Sequence, residues 1–221
     1  MRDGFLNSDF TWFIGVIEDV SDPKFLNRVK VRCYGYHTED TTILPKEDLP
    51  FATVMMPTTE ASFKGTGGNH ELMVGSWVVG FFRDGPSAQD PIIMGTIASK
   101  TDDVIDIPTE AQINPPTNKV HKTEGGHLIE YDNTDGAKRI NIKHASGTTI
   151  NINNDGTVTI DAVNDIVNID GNTTITGTLH VTGAQTNDST IVAQDTITDS
   201  GATLATHTHP GDSGGNTGTP N

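Results

Sequence analysis

Apolar and polar residues alternate over short spans along this chain, and the first hundred residues contain no convincing 3.6-residue apolar period. Trp12 to Val20 and Arg28 to Tyr36 read as two strands separated by the turn formers Ser21-Asp22-Pro23. In the second run Val29, Val31 and Cys33 alternate with Arg28, Lys30 and Arg32, which predicts one buried face and one basic, solvated face. Ser76 to Arg83 (SWVVGFFR) and Pro91 to Ala98 (PIIMGTIA) flank a loop containing Gly85 and Pro86. Gly80 and Gly95 interrupt these two strands, as expected where a small barrel coils or another backbone comes close. The pattern predicts an all-β chain whose residues 1–100 form a closed barrel of five or six strands.

The rhythm then changes twice. Residues 101–122 are polar, carry Pro108, Pro115 and Pro116, and read as a linker. From about residue 123 short apolar runs recur roughly every eight residues, punctuated by Asn, Asp and Gly, which is a β-solenoid rhythm. His127–Tyr131 and Arg139–Lys143 flank a hairpin signal, Asp132 to Gly136. Thr149–Ile152, Thr157–Ile160 and Ile166–Ile169 follow, and Ile175, Gly177, Leu179, Val181 and Gly183 then keep to one face. Residues 123–205 are therefore expected to form a β-helix, with 206–221 as its apex.

Composition sharpens this division. All 13 Phe, Trp and Tyr residues lie at or before Tyr131, and the last basic residue is Lys143. Residues 144–221 hold eight aspartates, no Lys, Arg or Glu and no Phe, Trp or Tyr. The net charge of -15 argues against unassisted binding to nucleic acid or anionic membranes. Cys33 is the only cysteine, so intrachain disulfides and cysteine-based zinc sites are excluded. Neither a signal peptide nor an apolar run of the ~20 residues a membrane helix needs is visible, so a soluble product made in a reducing cytoplasm is expected.

Between residues 144 and 206 the chain offers 15 Ile, Val and Leu residues and nothing larger to bury. Ordering each residue costs about 1–2 kcal/mol of backbone entropy, and burying one such side chain returns only ~1.5–3 kcal/mol. An isolated chain gains little from folding this stretch. Identical chains wound together would place their apolar stripes on one axis and cover one another's strand edges. A disordered acidic tail is the competing reading, and the sustained alternation of Ile and Val speaks against it.

The histidines of Thr206-His207-Thr208-His209-Pro210 share one face of an extended segment. Two imidazoles make a weak site. Three chains meeting on an axis would supply six nitrogens, which suits one octahedral iron(II) per trimer better than tetrahedral zinc. With no open coordination position, such a metal would be structural. The other reading is a surface tripeptide without a ligand.

Several motifs recur in order and carry a family resemblance. Asn7 to Val31 holds a W-F-x-G-V-x-E-D strand and a D-P-x-x-x-x-R-V-x-V hairpin, and Val74 to Thr96 holds G-x-W-V-x-G-x-F with a P-I-I-M-G return. Over about residues 5–100 the chain resembles the N-terminal OB-fold domain of contractile-phage baseplate central spike proteins. Its H-x-H-P-G-D ending resembles the iron-tipped spikes of other contractile phages. The resemblance implies an OB-fold barrel followed by an intertwined trimeric β-helix, or β-prism. It implies a homotrimer attached by its barrels to hub and tail-tube proteins of the virion baseplate. It also implies assembly in the host cytoplasm and transient contact with the host outer membrane when sheath contraction drives the spike through. The best-known relative carries a lysozyme domain between barrel and needle, and the short linker here implies that this chain lacks one. A built-in histidine tip would also replace the separate sharpening protein that the family often needs.

Other functions fit these residues less well. Glu124, Glu130, Asp132 and Asp135 show no catalytic partner spacing, there is no G-x-S-x-G or P-loop, and no enzymatic activity is expected. His121, His127, His144 and His180 are scattered and read as structural. The basic stripe of Arg28, Lys30 and Arg32 beside Tyr34 and Tyr36 would suit single-stranded nucleic acid, but the surrounding acidity opposes it. The spike of a phage-like secretion device and a trimeric receptor-binding fibre remain alternatives, though fibres end in bulkier domains.

Overall fold

The computed structural model describes residues 11–190, together with the backbone of Thr198–Asp199, Ala202–Thr203 and Gly215. Alternation in the sequence translates directly into a barrel. Along β1 (Trp12–Asp19) the inward positions are Phe13, Gly15 and Ile17. They meet Val29, Val31 and Cys33 of β2 (Val29–Cys33), Ala52 of β3 (Phe51–Val54), Val78 and Phe82 of β4 (Trp77–Phe82) and Ile93 of β5 (Pro91–Thr96). The strands close in the order β1-β2-β3-β5-β4, with β3 parallel to β5 and the other pairs antiparallel. Phe13 and Phe82 pack at the centre with ring centroids 4.9 Å apart and planes tilted by 43°. Burying each of the Phe, Ile and Val side chains in this core contributes about 1.5–3 kcal/mol.

Two glycines shape the barrel in different ways. A side chain on Gly80 would stand 2.1 Å from the Ile92 carbonyl oxygen and 2.6 Å from Phe13 Cζ, so the strands approach here only because Cβ is missing. Gly95 meets nothing within 4 Å and lies beside the register shift at Val79 and Gly80, where Met94 is the extra residue. The barrel has five strands. Its shortest member, β3, lies between Pro50 and Met55 and is too brief to show a period of its own.

Residues 101–122 contain more order than a linker. Lys100–Thr101 (β6) and Val104–Ile105 (β7) form a small hairpin, and Thr109–Ala111 is a 3-10 turn. The Asn114–Pro115 bond is cis. The last five residues, Asn118–Lys122 (β8), open a second sheet. That sheet is an antiparallel meander of β8, β9 (Leu128–Asp132), β10 (Arg139–Lys143), β11 (Thr149–Ile152) and β12 (Val158–Asp161), paired in sequence order. Its turns follow the predicted chemistry, with Gly136, Gly147 and Gly156 all at positive φ.

The expected continuation differs. Ile166–Ile169 and the segment from Ile175 to Gly183 carry no strand within the described residues 162–190. Residues 168–221 form a unit of their own, in which Ile169, Ile175, Leu179 and Val181 are exposed and Thr198–Asp199 pairs with Ala202–Thr203.

Candidate functional site

Register decides which side chains of the second sheet meet. Tyr131 pairs with Ile140, Ile140 with Ile152, and Ile152 with Val158. Ile129 pairs with Ile142, Ile142 with Ile150, and Ile150 with Ile160. Cross-strand partners project to the same side of a sheet, so these eight side chains form two parallel apolar rows on one face. They remain 39% (Ile140) to 63% (Val158) exposed. The rows stop at β8, where Lys119 pairs with Tyr131 and His121 with Ile129.

The opposite face is polar yet better covered. Val120, Glu130, Asn141, Asn151 and Thr159 form its central row, and Glu130 is only 2% exposed. This reverses the ordinary arrangement of a half-buried sheet, in which the apolar face is the covered one. Contiguous exposed apolar surface of this kind marks an interaction site.

The histidines divide sharply. His207 and His209 lie outside the described residues. His127 and His144 sit at one end of the rows with ring centroids 4.6 Å apart. Nδ1 of His127 accepts from the Ala145 amide at 3.4 Å and Nδ1 of His144 from the Ser146 amide at 3.1 Å. Both rings thus serve as acceptors for the backbone of the turn between β10 and β11. His121 Nε2 lies 3.4 Å from Glu71 of the barrel, and His180 is exposed. Among the described residues no group of three or more His, Cys, Asp or Glu could hold a metal ion.

The basic stripe expected on β2 is not solvated. Lys30 and Arg32 are 8% and 4% exposed, because the β2–β3 connection folds back over them. Arg32 is paired with Glu18, its Nη2 2.9 Å from the carboxylate, and donates to the carbonyls of Thr38 and Leu44. Lys30 donates to the carbonyl of Glu47 and lies over the Phe51 ring. Arg28 donates to Asp22 through Nη2 at 2.7 Å and Nε at 3.0 Å. Each cation is engaged within the chain, which leaves no open stripe for a nucleic-acid backbone. Sequence alternation missed this because it reads only the strand and not the loop above it.

Cys33 is buried and its thiol is pushed up to about 12 by desolvation, so it is protonated at neutral pH and packs as a small apolar side chain. Of the carboxylates singled out by sequence, Glu130 and Asp132 share Arg139, at 3.0 and 4.0 Å. The Gly65–Gly68 loop closes through a bridge between Phe63 and Thr66, and Gly67 packs on the Ser62 amide.

A closed barrel with this strand order, followed by a sheet with its apolar rows uncovered, is the setting for the comparison with known proteins. The Gp5 N-terminal OB domain family matches residues 34–177, well over half of the chain. The chain belongs to this family. Among its relatives, the pre-baseplate central spike protein Gp5 of Enterobacteria phage T4 is 37% identical over 97 residues, covering 41% of this chain and 17% of that protein. Protein Gp5 of Vibrio phage KVP40 is 24% identical over 282 aligned positions, covering 86% of this chain and 66% of that protein. The chain thus spans less than two thirds of the length of either relative. The Gp5 family match begins inside the barrel, just after β2, and runs beyond the last strand of the meander.

Proposed function

We propose that this chain is a structural central spike of a contractile phage tail baseplate, built as a homotrimer that pierces the host outer membrane when the sheath contracts. Its virion location at the tail baseplate follows from its relatives, one of which is named a pre-baseplate central spike protein. The observation that carries the trimeric reading is the pair of apolar rows on β9–β12. Eight Ile, Val and Tyr side chains facing solvent are unstable in one copy and become an interior when identical copies turn the same face to a common axis. The Thr-, Asn- and Asp-rich stretch beyond Lys143, free of Lys and Arg, gives a hydrated exterior suited to crossing an envelope without sticking.

In this reading the work is mechanical, and the barrels attach to hub and tail-tube proteins of the baseplate. His207 and His209 of three chains would hold one iron(II) through six imidazole nitrogens, a donor set that saturates an octahedral ion. Such a metal would tie three chain ends together.

Native mass with metal analysis tests the assembly and the tip separately. The expected mass is three times the 23.6 kDa chain, with about one iron per three chains. A stable monomer at micromolar concentration would overturn the trimer. In the double variant His207→Ala, His209→Ala the trimer should persist and the iron should be lost. Retention of the iron would overturn the site.

A further inference from the structure

The polar face of the second sheet is covered by the connector that precedes it, and the contact converges on one carboxylate. Glu130 Oε1 accepts from Asn118 Nδ2 at 2.7 Å and from Arg139 Nη2 at 3.0 Å, while Oε2 accepts from Asn141 Nδ2 at 3.0 Å. The same Asn118 Nδ2 donates to the Glu110 carbonyl at 2.8 Å. Asn118 thereby joins the connector backbone to the buried acid. Around this node Lys122 Nζ holds the Glu110 carboxylate at 2.9 and 3.1 Å. Thr117 and Thr134 share a hydroxyl contact at 2.9 Å, and Asn133 Nδ2 donates to the Thr117 carbonyl at 3.1 Å.

The amides reveal which partner dominates. Asn118 Oδ1 and Asn141 Oδ1 are both buried without a hydrogen-bond partner. Each amide has turned its NH2 group to the carboxylate although its own oxygen is left unsatisfied. Donation to a carboxylate is roughly twice as strong as donation to a neutral acceptor, which fits this orientation of both amides.

We infer that Glu130 is a clamp that fixes residues 109–118 onto the polar face of the sheet, so that the connection between barrel and sheet is a braced element and not a free tether. The clamp stands on the geometry alone. Its use, carrying axial thrust from the barrel into the strands, rests on the proposed spike function.

The charged groups facing Glu130 set its pH response. They are Arg139 of β10, Asp132 on its own strand, Glu110 of the 3-10 turn and Lys122 of β8. Burial pushes the Glu130 carboxyl up, but donation by Asn118, Asn141 and Arg139 outweighs it and holds the group below the usual glutamate range. Its folded pKa is therefore below the unfolded one, so the clamp is complete at neutral pH and is released as pH falls through the folded value.

Hydrogen–deuterium exchange of the full chain at neutral pH tests the clamp. Glu130→Gln should raise exchange in peptides covering 109–118 by about tenfold or more, with peptides of β1 and β4 unchanged. Cleavage after Glu110 by a glutamate-specific protease should accelerate in parallel. Asn118→Ala, which leaves Arg139 and Asn141 on the carboxylate, gives the same local readout if Glu130→Gln fails to fold. Unchanged exchange at 109–118 in the folded variants would overturn the clamp, as would an equal rise across β10–β12. Neither result would bear on native mass, so failure of the clamp and failure of the trimer are distinguishable.

Discussion

The barrel and the meander are built from the same material, short strands with apolar residues at alternate positions, yet they end in opposite states. In the barrel the alternate residues Phe13, Ile17, Val29, Val31 and Val78 lie at 0–1% exposure, because the sheet curls until its last strand pairs with its first. In the meander the rows running from Ile129 to Ile160 and from Tyr131 to Val158 face outward, because five strands in sequence order make an open sheet and, among the described residues, no second layer lies over that face. Alternation therefore specifies that a face must be buried without specifying by what. The barrel answers from within residues 12–96 of its own chain, as small closed sheets do, and the meander leaves its apolar face open.

Substitutions can break this contrast. The largest effect is expected from Ile142→Asp with Ile150→Asp, a directly paired couple in the apolar rows. A charge at each position should abolish self-association in sedimentation, while the near-ultraviolet circular dichroism of the barrel aromatics stays intact. Persistence of the oligomer would mean that the rows are not the interface. Phe13→Ala should do the reverse. Removing the central ring from a closed core costs about 3–5 kcal/mol, read by denaturant unfolding of the barrel, with the meander still able to associate.

A smaller loss, about 1–3 kcal/mol, is expected from Gly80→Ala, where the new methyl meets the Ile92 carbonyl oxygen at 2.1 Å. Gly95→Ala has open space and should be nearly silent, so the pair separates close approach from mere interruption of a strand. The smallest effect concerns pH. Hydrogen bonds from the Arg28 side chain, with the amides of Lys24, Arg28 and Leu26, hold the Asp22 carboxyl far below the usual aspartate range. The folded value lies below the unfolded one, so this contribution is present above about pH 4 and fades as pH falls through the folded value. Asp22→Asn should flatten that part of the acid unfolding curve. An unaltered curve would show that the β1–β2 turn does not sense acid.

Legibility in sequence followed the range of the interaction concerned. The strands β1, β4, β5, β9, β10, β11 and β12 were readable because each is a local alternation bounded by Gly, Asn, Asp or Pro. The short β3 was not, since four residues carry no period. The solvated basic stripe was misjudged for a different reason. Lys30 and Arg32 occupy the outward positions of β2, and the following connection closes over them through the carbonyls of Leu44 and Glu47, 12 and 17 residues along the chain from Arg32 and Lys30. Glu130 read as one more surface acid, and nothing in its neighbourhood along the chain announces Asn118 or Asn141. His207 and His209 rest on the sequence pattern and on the proposed assembly.

By itself the sequence determined the all-β class and the composition break between an aromatic-bearing first part and a distal stretch without Phe, Trp or Tyr. These depend on residue type and a spacing of two, which the geometry of an extended backbone converts into faces without reference to anything distant. Only the tertiary structure decided that the barrel closes with five strands, that the two central cations of β2 are capped by the following loop, and that the connector is seated on Glu130. Each of those depends on which segments meet across long loops, and such meetings are settled by closure, packing and charge satisfaction over the whole chain rather than by any local pattern.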